Sequence, residues 1–241
     1  MRVAALYDVH GNMPALEAVV RELEREEVDA VVVGGDVVAG PFPEDVLVLL
    51  DSLETDVHFI RGNADRELTE ESPAPEPWRT WLVNRTRPLR ARLDSWPEQL
   101  TLEVDGLGET LFCHATPRND EEIFTDLTPD EVVAEMMAGA TARVVVVGHT
   151  HMQTDRRVGE KRVVNAGSVG SPYEGRTGAF WALLGPDVHH RRTDYDVADL
   201  LERVRATDFP DPDEYYRESL LEPSPSADVA AFFENLARDR R

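Results

Sequence analysis

Apolar positions along this chain fall into short runs, and stretches of helical period separate them. Val3–Tyr7, Ala30–Val33 and Val144–Val147 are unbroken apolar runs, and Val57–Ile60 is interrupted only by His58. Runs of this kind predict strands buried on both faces of a sheet. Between the first two runs, Leu16, Val19, Val20 and Leu23 recur at i, i+3, i+4 and i+7, which predicts a helix over Met13–Glu26. Asn12 is placed to cap it and Pro14 fits its first turn. Val46, Leu47, Leu49, Leu50 and Leu53 mark a second helix. Strand and helix in alternation predict βαβ units and an α/β fold.

The pattern changes between Thr69 and Pro97. Pro73, Pro75, Pro77, Pro88 and Pro97 break this segment, and it carries Trp78, Trp81 and Trp96 with Arg79, Arg85, Arg87, Arg90 and Arg92. One reading is a helical excursion whose tryptophans pack on a sheet edge. The other is a lid that brings an aromatic ring to a base and an arginine to a phosphate. Beyond it, Leu100–Val104 and Thr110–Cys113 form a strand pair about Asp105-Gly106. Thr128-Pro129-Asp130-Glu131 reads as a capping box opening a helix that stops at Gly139. A hairpin turns at Gly159, a glycine-rich turn spans Asn165–Gly170, and Ala179–Leu184 and Val188–Arg192 make a last strand pair, with His58 read as structural or solvent-facing and His189 and His190 as facing solvent. The expected organisation is one domain over residues 1–195 with an acidic helical extension, 196–241, packed on it.

Charge narrows the partners. With 25 Lys+Arg against 47 Asp+Glu the net charge is -22, and Lys161 is the only lysine. Such a surface repels long nucleic acid and anionic membranes, but not a small phosphorylated substrate drawn in by local arginines and metal ions. Solubility or life in high salt explains the acidity equally well. Cys113 is the single cysteine, which excludes a disulfide framework and a thiolate zinc site. No leader-like segment and no apolar run of membrane-spanning length is visible, so a cytoplasmic protein is expected. The oligomeric state is left open, with room for a homo-oligomer through the C-terminal segment.

The candidate chemistry lies just beyond the apolar runs. Asp8-Val-His10 follows the first, Gly34-Gly35-Asp36 the second and Gly62-Asn63 the third. His114 follows Cys113, and Val144–Val147 leads into Gly148-His149-Thr150-His151. Open α/β sheets place their sites at the carboxyl ends of strands, and neutral imidazole is the commonest transition-metal ligand. Each residue alone is explained as a turn, a cap or a satisfied loop group. Five strands ending the same way are not.

The order Asp-x-His, Gly-Asp, Gly-Asn, His, Gly-His-x-His resembles the calcineurin-like metallophosphoesterase superfamily over about residues 1–195. Asn165–Arg176, with Ser168-Val169-Gly170, is similar to its small prokaryotic phosphodiesterase-like branch. The resemblance implies a four-layer α/β/β/α sandwich of two mixed sheets between helices. It also implies two divalent ions, one held by Asp8, His10, His151 and a bridging Asp36, the other by Asp36, Asn63, His114 and His149. Ligands without sulfur suit Mn, Fe, Zn or Ni, and we expect manganese among them. A metal-bridging hydroxide would then attack phosphorus in line. Asp36, Asn63, His114 and Asp65 are the expected catalytic residues.

One position departs from the family pattern. A histidine often follows the Gly-Asn asparagine there and protonates the leaving group; here the residue is Ala64, although Asp65 remains. General acid catalysis contributes about 10²–10⁴-fold, so its loss favours good leaving groups. The expected substrates are therefore small phosphodiesters or nucleotide phosphoanhydrides. Arg118 and Arg176 are candidate phosphate clamps, with surface ion pairing as the alternative for each. Competing functions are a phosphomonoesterase or protein phosphatase, which Ala64 argues against, and a protein-binding scaffold that lost the chemistry, which the seven intact ligands argue against. A nuclease is disfavoured by the charge.

Overall fold

The structure is a computed structural model that describes residues 1–70 and 76–240. Alternation along its strands sets the architecture. In β1 (Val3–Leu6), Val3 and Ala5 pack into one apolar cluster and Ala4 and Leu6 into another. β2 (Ala30–Val33) divides in the same way. These strands need two covered faces because every one of their residues is buried.

β1 and β2 pair in parallel, and β3 (Asp56–Phe59) extends them as an edge strand. On the other flank β9 (Ala179–Leu184) runs antiparallel to β1, and β10 (Val188–Thr193) closes the order β10-β9-β1-β2-β3. The second sheet has the order β4-β5-β6-β8-β7, from β4 (Gln99–Val104), β5 (Gly108–Cys113), β6 (Val144–Val147), β7 (Thr154–Val158) and β8 (Lys161–Asn165). Within it β5, β6 and β8 are parallel. Val144 and Val146 of β6 face the first sheet, and Val145 and Val147 face outward.

The outer faces carry helices. α1 (Met13–Leu23) and α2 (Pro43–Asp51) cover the first sheet. Beside them lie α3 (Asn63–Thr69), α4 (Pro77–Thr86) and the short α5 (Arg90–Leu93). α6 (Asp130–Met136) covers the second sheet through Val133 and Met136. The result is the expected sandwich of two mixed sheets between helices. Asn12 caps α1 as expected, accepting from the Ala15 N–H at 3.2 Å, although the helix ends at Leu23 and not Glu26.

The tryptophans of this segment pack in two places. Trp96 stacks on Phe59 of the edge strand, with ring centroids 4.9 Å apart. Trp78 instead meets Tyr215 of the C-terminal segment edge-on at 5.3 Å. Pro73 and Pro75 lie outside the described residues.

The C-terminal segment straps across both sheets. α7 (Val197–Arg205) buries Leu200, Leu201 and Val204 against α1, and Arg203 pairs with Glu17 at 3.0 Å. α8 (Pro212–Tyr215) and a π-helical turn, Arg217–Leu221, pass over the carboxyl ends of the strands. α9 (Ser226–Arg240) then reaches the second sheet, where buried Glu234 accepts hydrogen bonds from the Thr125 and Thr128 hydroxyls. No helix among the described residues is long and apolar enough to cross a membrane.

Two local expectations fail for the same reason, that a buried partner takes the polar group. Thr128 does not cap α6: the helix starts at Asp130 after Pro129 without a side-chain cap, because the Thr128 oxygen accepts from the Thr125 N–H at 2.9 Å while its hydroxyl donates to buried Glu234. His189 is exposed, but His190 is half-buried and its Nε2 donates to the Asn165 carbonyl at 2.9 Å.

Glu234→Ala removes the acceptor for two buried hydroxyls, which costs about 1–3 kcal/mol. In a chain of this size that lowers Tm by about 3–10 °C. A thermal melt of the variant that overlays the wild type would contradict this account of the strap.

Candidate metal centre

Parallel pairing brings the carboxyl ends of β1, β2 and β3 to one edge, and those of β5 and β6 to the facing edge. Hydrogen bonds then sew the edges together across the sandwich. The Tyr7 hydroxyl donates to the Val146 carbonyl at 2.9 Å, His114 Nδ1 to the Gly34 carbonyl at 2.9 Å, and the His149 N–H to Asp8 Oδ2 at 3.0 Å. All three are long-range contacts that form only once both sheets are in place.

The loops at this edge are held in unusual backbone. Asp8, His10, Asp36, His149 and His151 all have positive φ, from 46° to 67°. Left-handed backbone in non-glycine residues costs about 1–3 kcal/mol each and persists where the surroundings over-determine it. Gly35, at φ 99°, shows how tight the edge is: a Cβ there would stand 2.5 Å from His114 Nδ1 and 2.8 Å from Gly62 Cα. The glycines of Gly34-Gly35-Asp36 therefore do let backbone approach the site closely.

Backbone carbonyls fix the imidazoles. His10 Nδ1 donates to Ala39 at 3.2 Å, His114 Nδ1 to Gly34, and His151 Nδ1 to Ser171 at 2.5 Å. Each ring is left presenting Nε2, the arrangement that metal-binding histidines adopt. The Nε2 atoms of His10 and His151 face each other at 3.2 Å. Asp8 Oδ1, buried and without a hydrogen-bond partner, lies 3.2 Å from His151 Nε2 and 3.9 Å from His10 Nε2. Ligand atoms about 2.1 Å from a shared ion stand roughly 3.0–3.4 Å apart. Converging lone pairs with an orphaned carboxylate oxygen at that spacing suit a cation.

A second group adjoins the first. Asp36 Oδ1 accepts from the Ala64 N–H at 2.8 Å, which leaves Oδ2 at 3.5 Å from His114 Nε2 and 3.8 Å from His10 Nε2. Asn63 Oδ1 lies 3.1 Å from His114 Nε2, and the His149 ring meets His114 edge-on at 5.2 Å. Asp8, His10 and His151, and likewise Asp8, Asp36 and His114, offer ligand atoms within 4.8 Å of one another. All seven residues expected as metal ligands thus converge at one place.

The close packing divides the titrations. Although burial disfavours its charge, Asp36 is held far below the usual carboxylate range by His114, His10 and His149. Burial opposes protonation of His114, yet Asp36 and Asp8 raise it to about 10. Burial and the neighbouring His114 push His149 down to about 4.

Three other expected residues stand elsewhere. Asp65 is fully buried and does not reach the cavity; it accepts from the Val37, Val38 and Gly62 N–H groups at 3.0, 3.2 and 3.2 Å. Its carboxylate ties the loop after β2 to the start of α3, so it positions Asp36 and Asn63 and is not placed for catalysis. Burial and the Asp36 charge raise it to about 7. Arg118 pairs with Glu122 and Glu135, and Arg176 lies exposed over the Phe180 ring. Neither lines the cavity beside His10 and Asp36, because nearer carboxylates and an aromatic face take up their guanidinium groups, although Arg118 borders a smaller cleft of about 160 Å³ that includes His114.

That cavity, of about 590 Å³, opens beside His10, Asp36, Asn63 and His151. Its far wall comes from α4 through Trp78 and Arg79, and from the strap through Tyr215, Arg217 and Ser219. Tyr173 also lines it and stacks on His151 at 5.2 Å, while its other neighbour is Phe233 of α9. The strap residues carry no metal-ligand signature. The pair Tyr215-Tyr216 in an otherwise acidic tail was the one signal that could have found them.

An edge-joined sandwich with imidazoles and carboxylates gathered at the seam defines an α/β protein with a candidate metal centre. The chain matches the calcineurin-like phosphoesterase superfamily domain over residues 1–184 and belongs to that superfamily. An uncharacterized protein of Methanocaldococcus jannaschii is 24% identical over 234 residues, covering 87% of this chain and 94% of its own. A hypothetical protein from Pyrococcus horikoshii OT3 superposes with a TM-score of 0.80 at 22% identity, covering 93% of this chain and 99% of that one. A metallophosphoesterase from Sphaerobacter thermophilus gives 0.73 at 23% identity, over 91% and 98%. These likenesses establish the fold.

Asp65→Asn turns an amide NH₂ toward one of three backbone donors. It should lower Tm by about 3–10 °C, from a loss of about 1–3 kcal/mol, and weaken divalent-metal binding measured by calorimetry. A proton donor to substrate would behave differently, losing turnover with Tm and metal affinity unchanged.

Proposed function

We propose that this protein is a dinuclear-metal-dependent phosphoesterase that hydrolyses a small phosphodiester. The observation that carries the reading is Asp36: one carboxylate oxygen faces His10 of the first ligand group and His114 of the second. Asp8, His10 and His151 would hold one ion, Asn63, His114 and His149 the other, with Asp36 shared. Divalent ions bound there would supply Lewis acidity and make a water nucleophilic near neutral pH.

The chain's own residues set the rest. Carbonyl-anchored rings keep Nε2 aimed inward, so the ligand set is organised before substrate arrives. Left-handed loops and the Asp65 bonds fix the backbone that carries Asp36 and Asn63. Hydrolysis places the water oxygen on phosphorus, breaks one ester P–O bond, and releases one proton with the alcohol and one to solvent.

Ala64 decides between substrate types. Its N–H is spent on Asp36 and its methyl group lines the cavity, so this position donates no proton to a leaving group. Diesters with good leaving groups are favoured over alkyl monoesters. Phosphoanhydrides rank behind diesters because both arginines lining the cavity are already paired with glutamates.

The test compares an aryl phosphodiester with its monoester, using metal-stripped protein reloaded with Mn²⁺. The diester should turn over faster, only with metal, and Asp36→Asn should abolish it. Ala64→His should raise turnover of alkyl phosphomonoesters, by up to about 10²-fold. Metal-independent turnover, or a monoester preference in the wild type, would overturn the proposal.

A further inference from the structure

The cavity wall opposite the metal centre combines three features that point to one kind of group. The first is charge. Glu67, Glu76, Glu214 and Glu218 line it against Arg79 and Arg217, an excess of two carboxylates. Arg79 is paired with Glu67, and Arg217 with Glu214 at 2.6 Å, so among the described lining residues no guanidinium is left for a second phosphate. Glu218 makes no ion pair among the described residues and lines the cavity with Tyr173.

The second feature is aromatic. Trp78 and Tyr215 meet at an interplanar angle of 71°, which forms a corner and not the parallel pair that would sandwich a base. Tyr215 is pinned by its hydroxyl, which donates to the Ala39 carbonyl at 2.5 Å. Ring corners beside carboxylates are how proteins hold ammonium groups, quaternary ones above all. The third feature is Ser219, a cavity-lining residue 3% exposed on the π-helical turn, whose buried hydroxyl has no hydrogen-bond partner. A buried hydroxyl left unpaired is costly unless a ligand satisfies it.

We propose that this cavity is a subsite for a cationic alcohol, so that the substrate is a phosphodiester of an amine or quaternary ammonium alcohol. The assignment rests on the phosphoesterase reading for its chemistry, but the subsite itself is defined by the wall. A zwitterionic ester matches the site at both ends: its phosphate faces the metal ligands, and its ammonium group faces Glu218 and the ring corner. Ser219 donates to an oxygen of the bound ester.

Binding and turnover test the two claims apart. Choline and its neutral carbon isostere, 3,3-dimethylbutanol, are titrated by calorimetry into the full-length Mn²⁺-loaded protein. Choline should bind about tenfold more tightly than the isostere, and Glu218→Gln should remove most of that difference while leaving the isostere unchanged. Equal binding of the two, or a preference that survives Glu218→Gln, would overturn the subsite. Hydrolysis of p-nitrophenyl phosphocholine is then measured on the same sample. Choline binding without hydrolysis would leave the subsite standing and defeat the phosphoesterase reading.

Discussion

The structure depends on a seam between two sheets. Three hydrogen bonds cross it, from Tyr7 to Val146, from His114 to Gly34 and from His149 to Asp8, and each joins residues at or just beyond strand ends of the two sheets. Because these bonds are buried, slipping one sheet against the other would leave several polar groups unpaired at once. The seam therefore fixes the relative position of five strand ends to within hydrogen-bond tolerance. A metal centre needs that precision, and so does a backbone held at positive φ in five of its ligand residues.

The centre concentrates unpaired donor atoms where water has little access. Asp8 Oδ1 has no protein partner, and the Nε2 atoms of His10 and His151 confront each other. Such a cluster is destabilising by itself and is of the kind that cations satisfy, so on the proposed function the stability of the seam would rise with metal occupancy. The strap adds a second layer of dependence. It is anchored at both ends, by Arg203 on Glu17 and by Glu234 on the Thr125–Thr128 turn, and its middle supplies the cavity wall. The wall of the cavity thus comes from residues far in sequence from the candidate ligands.

How much of this was legible in the chain follows from the range of the forces involved. The buried strands and α1 were readable because apolar runs and a helical period are local signals, and the ligand residues because each sits immediately after such a run. Asp65 shows the limit of that reasoning. Its adjacency to Asn63 suggested chemistry, yet its partners are N–H groups at Val37 and Val38, which no local pattern connects to it. Arg118 and Arg176 were misplaced because an arginine's direction depends on which carboxylate or ring lies nearest in space. Thr128 carried a sound capping signature, but its oxygen accepts from the Thr125 N–H in a turn that Glu234, more than a hundred residues away, holds through the Thr128 hydroxyl. The cavity wall was the least visible part, since Trp78, Tyr215 and Ser219 meet only when the strap closes.

Anomalous diffraction from crystals of the full-length protein loaded with Mn²⁺ tests the central claim most directly. The account predicts two manganese peaks about 3.5–4 Å apart, one among Asp8, His10 and His151, the other among Asn63, His114 and His149, with Asp36 between them. A single peak, or peaks away from the seam, would contradict it.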